Sequence, residues 1–74
     1  MQLWALGRAA AEGVLTPQGF RVVSASDIPL DPKVTPAALS ADEIKQYVAD
    51  YAQAAKNFVE GAGGDGVEIH GANG

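Results

Sequence analysis

The hydrophobic pattern along this chain divides it into four parts. The first is a short apolar run, QLWAL, which covers residues 2–6 and ends at a glycine. So short a run suits a buried strand, although periodicity alone does not distinguish it from a buried helix. Side chains alternate between the two faces of a strand, so Gln2 and Trp4 are predicted to share one face.

The second part, residues 7–39, is irregular and contains all four prolines of the chain. Phe20, Val22 and Val23 favour a short strand within it, but Pro29 and Pro32 interrupt any longer one. We therefore expect a long proline-containing loop, and a connection of this length inside a compact domain is usually functional or disordered.

The third part, LSADEIKQYVADYAQAAKNFVEG, has the strongest helical pattern. Ser40 and Glu43 have the spacing of a capping box, which satisfies free backbone amides at the start of a helix. Gly61 marks the predicted end of the helix. Apolar residues recur every three or four positions and form one stripe, which consists of Ile44, Val48, Tyr51, Ala55, Phe58 and Val59.

The fourth part, DGVEIHGANG, begins with an alternating pattern. Val67 and Ile69 are predicted to face one side of a strand, and Glu68 and His70 the other. The order of parts is strand, long loop, helix, glycine-rich turn and strand. That order predicts the α/β class, with one β-loop-α-β unit whose strands run parallel.

A single unit of this kind leaves a sheet edge and an apolar face uncovered, whereas a parallel sheet needs both faces covered. The chain contains no internal repeat that would multiply the unit. One interpretation is a piece of a larger α/β protein. The bare edge and the apolar stripe also fit a second one, a small non-catalytic protein that self-associates or docks to a partner.

Composition narrows the class of function. Nine acidic residues against five scattered basic ones give a net charge of −4, which argues against nucleic acids and anionic membranes as partners. No apolar run approaches the roughly 20 residues of a membrane-spanning helix. With no cysteine and one histidine, we expect no metal site. The first residues lack the basic region and long apolar stretch of a signal peptide, and we expect a cytoplasmic protein.

His70 and Asn73 are the candidate ligand-binding residues, because ligands of parallel α/β sheets bind at the carboxyl ends of strands. His70 lies at such an end, and Asn73 lies in the loop behind it. Both side chains donate hydrogen bonds, so together they suit one ligand oxygen on which negative charge develops. The spacing is equally compatible with a solvated strand-end histidine and a turn asparagine.

Three other polar or aromatic residues of the predicted strands have alternative roles. Glu68 suits an ion pair or the orientation of the His70 imidazole, and the structural role is favoured. Trp4 suits either ordinary packing or a pocket wall. The amide of Gln2 both donates and accepts, as the edge of a planar heterocycle requires, and a buried amide needs such partners.

At these residues the chain resembles the old yellow enzyme family of flavin-dependent ene-reductases, and its fungal branch in particular. The segments that carry the resemblance are QLWALGRAA, SASDIPL, ALSADEIKQYVADYAQAAKNFVEGA and DGVEIHGANG, in this order. The resemblance implies that residues 1–74 are a fragment of a TIM-type (β/α)₈ barrel. They would supply its third strand, the following loop and helix, and its fourth strand.

The resemblance also implies a chemistry and a role for individual residues. FMN would lie at the carboxyl mouth of the barrel, take electrons from NAD(P)H and reduce the C=C bond of an enone or enal. His70 and Asn73 would bind the substrate carbonyl oxygen, Trp4 would lie near the substrate, and Gln2 would contact the flavin pyrimidine edge.

In the family, GANG is usually followed by a tyrosine that protonates the substrate, so the expected proton donor lies beyond Gly74. We therefore expect no catalytic residue in these 74 residues and no activity from them alone. One alternative is a member that resembles the ergot-alkaloid branch, which reduces or isomerises an unsaturated aldehyde. A tyrosine directly after Gly74 would favour a reductase, and a different residue would favour isomerase-like chemistry. The physiological substrate, the choice of NADH or NADPH and the oligomeric state are not set by the sequence.

Overall fold

The computed structural model describes residues 1–72 and confirms the α/β class over them. The helices and strands are β1 (Gln2–Leu3), α1 (Glu12–Leu15), β2 (Val23–Ser24), β3 (Ala37–Ala38), α2 (Ala41–Lys56) and β4 (Glu68–Ile69). Strand β1 pairs with β4 and β2 pairs with β3, both in parallel. The chain forms two compact units, residues 6–40 and, separately, residues 1–5 with the described residues from 41 onward.

Strands β1 and β4 form the parallel pair that the sequence predicts. Gln2 stands opposite Glu68 and Leu3 opposite Ile69. The backbone N–H of Glu68 donates to the Met1 carbonyl at 3.0 Å, and that of His70 donates to the Leu3 carbonyl at 2.9 Å. The parallel pairing of the two ends of the β-loop-α-β unit is therefore confirmed.

Both of these strands are shorter than predicted, since β1 was expected over residues 2–6. Leu6 already has helical backbone angles, φ −65° and ψ −29°, and caps a short 3₁₀ turn at Gly7–Ala9. Gly7 has a φ of 56°, which glycine adopts without strain and other residues adopt at a cost. The chain therefore leaves the strand direction after a few residues.

Helix α2 begins at Ala41, directly after Ser40, and continues from Asn57 to Gly61 as a π-helical turn. The predicted end at Gly61 is thus confirmed. Alanine and unbranched polar residues, which lose little side-chain freedom in a helix, fill much of it. Acidic residues in the first turn and Lys56 in the last complement the helix dipole.

The turn between α2 and β4 depends on Gly64. The Phe58 ring lies directly over this glycine, in the space that a Cβ atom would occupy. The Gly64 amide also donates to the Phe58 carbonyl at 3.0 Å. Any side chain at this position must displace the ring, so the glycine lets the chain turn closely around Phe58.

Residues 6–40 fold into their own small unit rather than an unstructured loop. Helix α1 is followed by a 3₁₀ turn at Thr16–Gln18, in which Pro17 is the second residue and has a fixed φ suited to the first turn of a helix. The centre of the unit is the β2–β3 pair, where Val22 is 6% exposed and Pro36 is fully buried. The Ala37 amide donates to the Val22 carbonyl at 2.9 Å and so joins the two segments.

The strand expected around Phe20 to Val23 lies at Val23–Ser24, and its partner β3 was not predicted. Phe20 remains 63% exposed. Two hydrogen bonds hold Ile28 in the segment that follows β2. The Arg8 guanidinium donates to the Ile28 carbonyl at 3.3 Å, and the Ile28 backbone amide donates to the Ser26 hydroxyl at 3.4 Å.

An apolar groove of about 510 Å³ lies between α2 and the β1–β4 pair. It is lined by Leu3, Ile44, Tyr47, Val48, Tyr51, Ala52, Ala55, Val67 and Ile69. Val48 and Ile69 are each 65% exposed, so the predicted stripe on α2 faces an open groove. The expectation of an uncovered apolar face is confirmed. Within residues 1–72, no helix has the length and apolar content that crossing a membrane requires.

Candidate functional site

The candidate site is the polar face of the β1–β4 pair. The sequence places Gln2 and Trp4 on one face of the first strand, and Glu68 and His70 on one face of the last. In the structure, side chains of the two strands contact each other in pairs, Gln2 with Glu68 and Trp4 with His70. The two predicted faces therefore contact each other across the strands, and we call these four side chains together the polar face.

The first contact on the polar face is a hydrogen bond between register partners. The side-chain amide nitrogen of Gln2 donates to the Oε1 atom of Glu68 at 2.5 Å. This contact joins residues 66 positions apart in the chain. Hydrogen bonds to a carboxylate are shorter and stronger than those between neutral groups. Both side chains are exposed, so the amide remains accessible to a ligand.

The second contact is between two aromatic rings. The Trp4 indole and the His70 imidazole meet edge to face, with centroids 5.1 Å apart and planes at 85°. This is a favoured geometry for aromatic pairs, because the positive edge of one ring meets the negative face of the other. The backbone N–H of His70 donates to the Leu3 carbonyl at 2.9 Å. Both the backbone and the side chain of His70 therefore have a partner on the first strand segment.

The exposure of the two rings leaves room for a ligand. Trp4 is 52% exposed, and His70 is half-buried. Tyr47 and Tyr51 line the apolar groove, and together with Trp4 they also line a second pocket of about 280 Å³.

Asn73, the proposed partner of His70, lies outside the described residues. The structure follows the chain only to Gly71 and Ala72, which are both exposed. Its role beside His70 therefore stays a prediction. Within residues 1–72, no group of three histidine, cysteine, aspartate or glutamate side chains is placed to hold a metal ion.

Sequence reasoning missed the contact between Glu68 and Gln2. It considered Glu68 as an ion-pair partner or as a support for the His70 imidazole, whereas the carboxylate accepts from an amide. The residue types give no sign of this contact. Only the strand register, in which Gln2 stands opposite Glu68, brings the two side chains together.

The donor set on the polar face fits a flat heterocycle. The Gln2 amide combines a donor and an acceptor, which matches the alternating N–H and C=O groups of a pyrimidine edge. Aromatic walls of the kind that Trp4 supplies suit planar ligands. Parallel strands with polar residues toward their carboxyl ends are typical of cofactor-binding α/β enzymes.

Comparison with known proteins assigns the family. The sequence profile of the NADH:flavin oxidoreductase / NADH oxidase family matches residues 1–74, and the chain belongs to this family. Members of the family bind FMN and act as oxidoreductases. The predicted resemblance to old yellow enzymes of fungi is thereby confirmed.

Its relatives include several fungal proteins. The chain is 60% identical over 75 residues to the probable inactive dehydrogenase easA of Claviceps purpurea strain 20.1, covering 100% of this chain. It is 52% identical over 75 residues to the NADP-dependent oxidoreductase lnbE of Aspergillus flavus, again over 100% of this chain. It is 50% identical over 74 residues to the chanoclavine-I aldehyde reductase ifgG of Penicillium roqueforti, over 99% of this chain.

The chain spans 20% of the length of each of these relatives. The similarity therefore concerns one segment of a longer type of protein. No solved structure gives a significant match to the chain.

Proposed function

We propose that this chain supplies part of the flavin and substrate site of an FMN-dependent ene-reductase. Residues 1–74 would form the third strand, the following loop and helix, and the fourth strand of a (β/α)₈ barrel. The complete protein would reduce the C=C bond of an enone or enal with NAD(P)H. The observation that carries this proposal is the polar face, where Gln2 contacts Glu68 and Trp4 contacts His70 across a parallel strand pair.

The barrel assignment is supported by the two faces of the β1–β4 pair. In such barrels, one side of each strand faces the interior and the other faces the surrounding helices. Leu3, Val67 and Ile69 line the groove beside α2, as residues under the outer helices do. The polar face then corresponds to the barrel interior, where the cofactor and the substrate are held.

Gln2 is the residue that would hold the cofactor. Its amide offers an acceptor and a donor to the pyrimidine edge of FMN. When bound, FMN would supply the hydride for reduction, with NAD(P)H as the source of electrons. The protein contributes the orientation of that ring, because hydrogen bonds to one edge fix its rotation in the plane.

His70 and Asn73 would bind the substrate. Two donors directed at the carbonyl oxygen withdraw electron density from the conjugated C=C bond, so its β-carbon becomes a better hydride acceptor. They also stabilise the negative charge that develops on the oxygen. Trp4 contacts the His70 ring edge to face and would form a wall of the same pocket.

The substrate class is an α,β-unsaturated aldehyde or ketone. The relative from Penicillium roqueforti is named for the reduction of chanoclavine-I aldehyde, and this supports an aldehyde substrate. The relative from Claviceps purpurea is named as a probable inactive dehydrogenase. In a second candidate function, the site binds an unsaturated aldehyde and isomerises it without net reduction.

The test is a graft of this chain into a complete relative. Residues 1–74 replace the matching segment of the Penicillium roqueforti reductase, and the purified protein is assayed for FMN content and for NADPH-dependent reduction of cyclohexenone and chanoclavine-I aldehyde. We expect FMN binding and reduction. The change His70→Ala should lower kcat/KM about 100-fold, the usual effect of removing one oxyanion donor.

The matched control is Gln46→Ala, because Gln46 lies on α2 and pairs with Asp50 rather than with the polar face. Its kcat/KM should equal that of the unaltered graft. A graft that binds FMN and reduces the substrates equally well with and without His70 would refute the proposal. Conversion of the aldehyde without NADPH consumption would instead support the isomerase candidate.

A further inference from the structure

The hydrogen bond between Gln2 and Glu68 fixes which end of the glutamine amide faces a ligand. We propose that Glu68 is a positioning residue, which orients the Gln2 amide for a planar donor–acceptor edge such as the flavin pyrimidine. The proposal rests on the role of Gln2 in the proposed function. No role in ligand binding follows for Glu68 from its residue type alone.

The physical reason is the chemistry of the two groups. An ionised carboxylate accepts hydrogen bonds and donates none, whereas a primary amide has a donating nitrogen and an accepting oxygen. Glu68 can therefore pair only with the nitrogen of Gln2, as it does at 2.5 Å. A glutamine at position 68 would accept from the nitrogen or donate to the oxygen, and the Gln2 amide would then adopt both orientations.

The orientation leaves a defined pair of groups free. One N–H of Gln2 is engaged by Glu68, so the second N–H and the amide oxygen remain for a ligand. An adjacent N–H and C=O on a flat ring, as in the flavin pyrimidine, match these two groups. The opposite orientation would place the amide oxygen against the carboxylate and is excluded by repulsion.

The backbone holds the pair in place. Gln2 and Glu68 are register partners, and the Glu68 amide donates to the Met1 carbonyl at 3.0 Å. Their Cα atoms are therefore kept at the spacing of neighbouring strands. Glu68 therefore differs from most surface carboxylates, because the strand pairing keeps its hydrogen-bond partner next to it.

The first arm of the test uses the 74-residue chain itself. The side-chain amide resonances of Gln2 are recorded by ¹H–¹⁵N NMR for the unaltered chain and for Glu68→Gln. We expect one Gln2 amide proton to resonate downfield in the unaltered chain and to move upfield in the variant. Gln46, whose amide donates to Asp50 at 2.8 Å, is the internal control and should not change. Identical Gln2 resonances in both proteins would overturn the proposal.

The second arm measures FMN affinity in the grafted holoenzyme described above, after removal and re-addition of FMN. Glu68→Gln should weaken binding about three- to tenfold, in the range expected for one hydrogen bond. The same change in a Gln2→Ala background should have no further effect. N3-methyl-FMN, which lacks the ring N–H, should bind less tightly than FMN to the unaltered graft, and this preference for FMN should be smaller in Glu68→Gln.

The outcomes separate this inference from the proposed function. If Gln2→Ala leaves FMN affinity unchanged, the role of Gln2 itself is wrong. If Gln2→Ala lowers the affinity for FMN but Glu68→Gln does not, only the positioning role of Glu68 is wrong. If Glu68→Gln lowers the affinity for FMN equally in the unaltered and the Gln2→Ala backgrounds, Glu68 acts through the stability of the fold. That result would also overturn the positioning role. Should Glu68→Gln unfold the graft, Glu68→Asp keeps the acceptor-only group and should retain the preference for FMN over N3-methyl-FMN.

Discussion

The Trp4 indole and the His70 imidazole contact each other edge to face, 5.1 Å apart between centroids and at 85° between planes. The contact connects the first strand of the chain with the last, and it places the one histidine beside the one tryptophan. His70 is thus held by its neighbour across the sheet as well as by its own backbone. The orientation of the imidazole should depend on Trp4.

We predict that Trp4→Leu changes the environment of His70. The indole ring shifts the resonances of nearby protons, so the imidazole C–H signals of His70 should move toward free histidine values in a ¹H–¹³C NMR spectrum. The loss of the aromatic pair should also reduce the free energy of unfolding by about 0.5–1.5 kcal/mol beyond the loss of buried area. Phe20→Leu is the control, because Phe20 is exposed in the other unit. If the imidazole signals are the same in Trp4→Leu, the ring contact does not form in solution.

Gly64→Ala should destabilise the turn between α2 and β4. The new methyl group would occupy the space of the Phe58 ring, and the ring must move to admit it. Overpacking of this kind typically costs about 1–3 kcal/mol, which a urea unfolding curve measures. The matched control is Gly66→Ala, since no heavy atom lies within 4 Å of a Cβ at that glycine. Equal unfolding midpoints for the two variants would contradict the close contact with Phe58.

The apolar groove should bind a hydrophobic dye. Val48 and Ile69 are each 65% exposed and line a groove of about 510 Å³, and apolar surface of this kind takes up such probes. We expect Val48→Gln to lower the fluorescence of bound anilinonaphthalene sulfonate several-fold. Val14→Gln alters an equally exposed valine, at 60%, outside the groove and should leave the fluorescence unchanged. A similar decrease in both variants would place the dye elsewhere.

The 74-residue chain should not bind FMN tightly by itself. It spans 20% of the length of its relatives, and the polar face offers a single amide, that of Gln2, for the flavin edge. Most of the binding surface for a ligand of this size would come from other parts of a complete family member. We expect no quenching of FMN fluorescence with micromolar chain and no NADPH oxidation with cyclohexenone. Stoichiometric FMN binding by the chain alone would contradict this.

The parts of the fold that follow from local sequence were predicted well. The apolar stripe on α2 repeats every three to four residues, and glycines follow the helix. The helical segment accordingly begins at Ala41 and ends at Gly61, with a π-helical last turn. The faces of β1 and β4 were also predicted, because alternation depends only on neighbouring residues.

The parts that depend on distant contacts were not predicted. Strand β3 consists of Ala37 and Ala38, which have no strand preference of their own and stand opposite Val23 and Ser24 of β2. The length of β1 is set by the helical backbone of Leu6 rather than by hydrophobicity. In the site, the pairing of Gln2 with Glu68 required the register between strands more than 60 residues apart.

The most direct test is the affinity of the grafted, oxidised holoenzyme for cyclohexanone, a carbonyl ligand that has no C=C bond to reduce. Binding is followed by the change in flavin absorbance, for the unaltered graft, His70→Ala and Asn73→Ala. If the two side chains donate to the carbonyl oxygen, each change should raise the dissociation constant about tenfold, as the loss of one hydrogen bond predicts. Dissociation constants that are equal in all three proteins would contradict a carbonyl site at the end of β4.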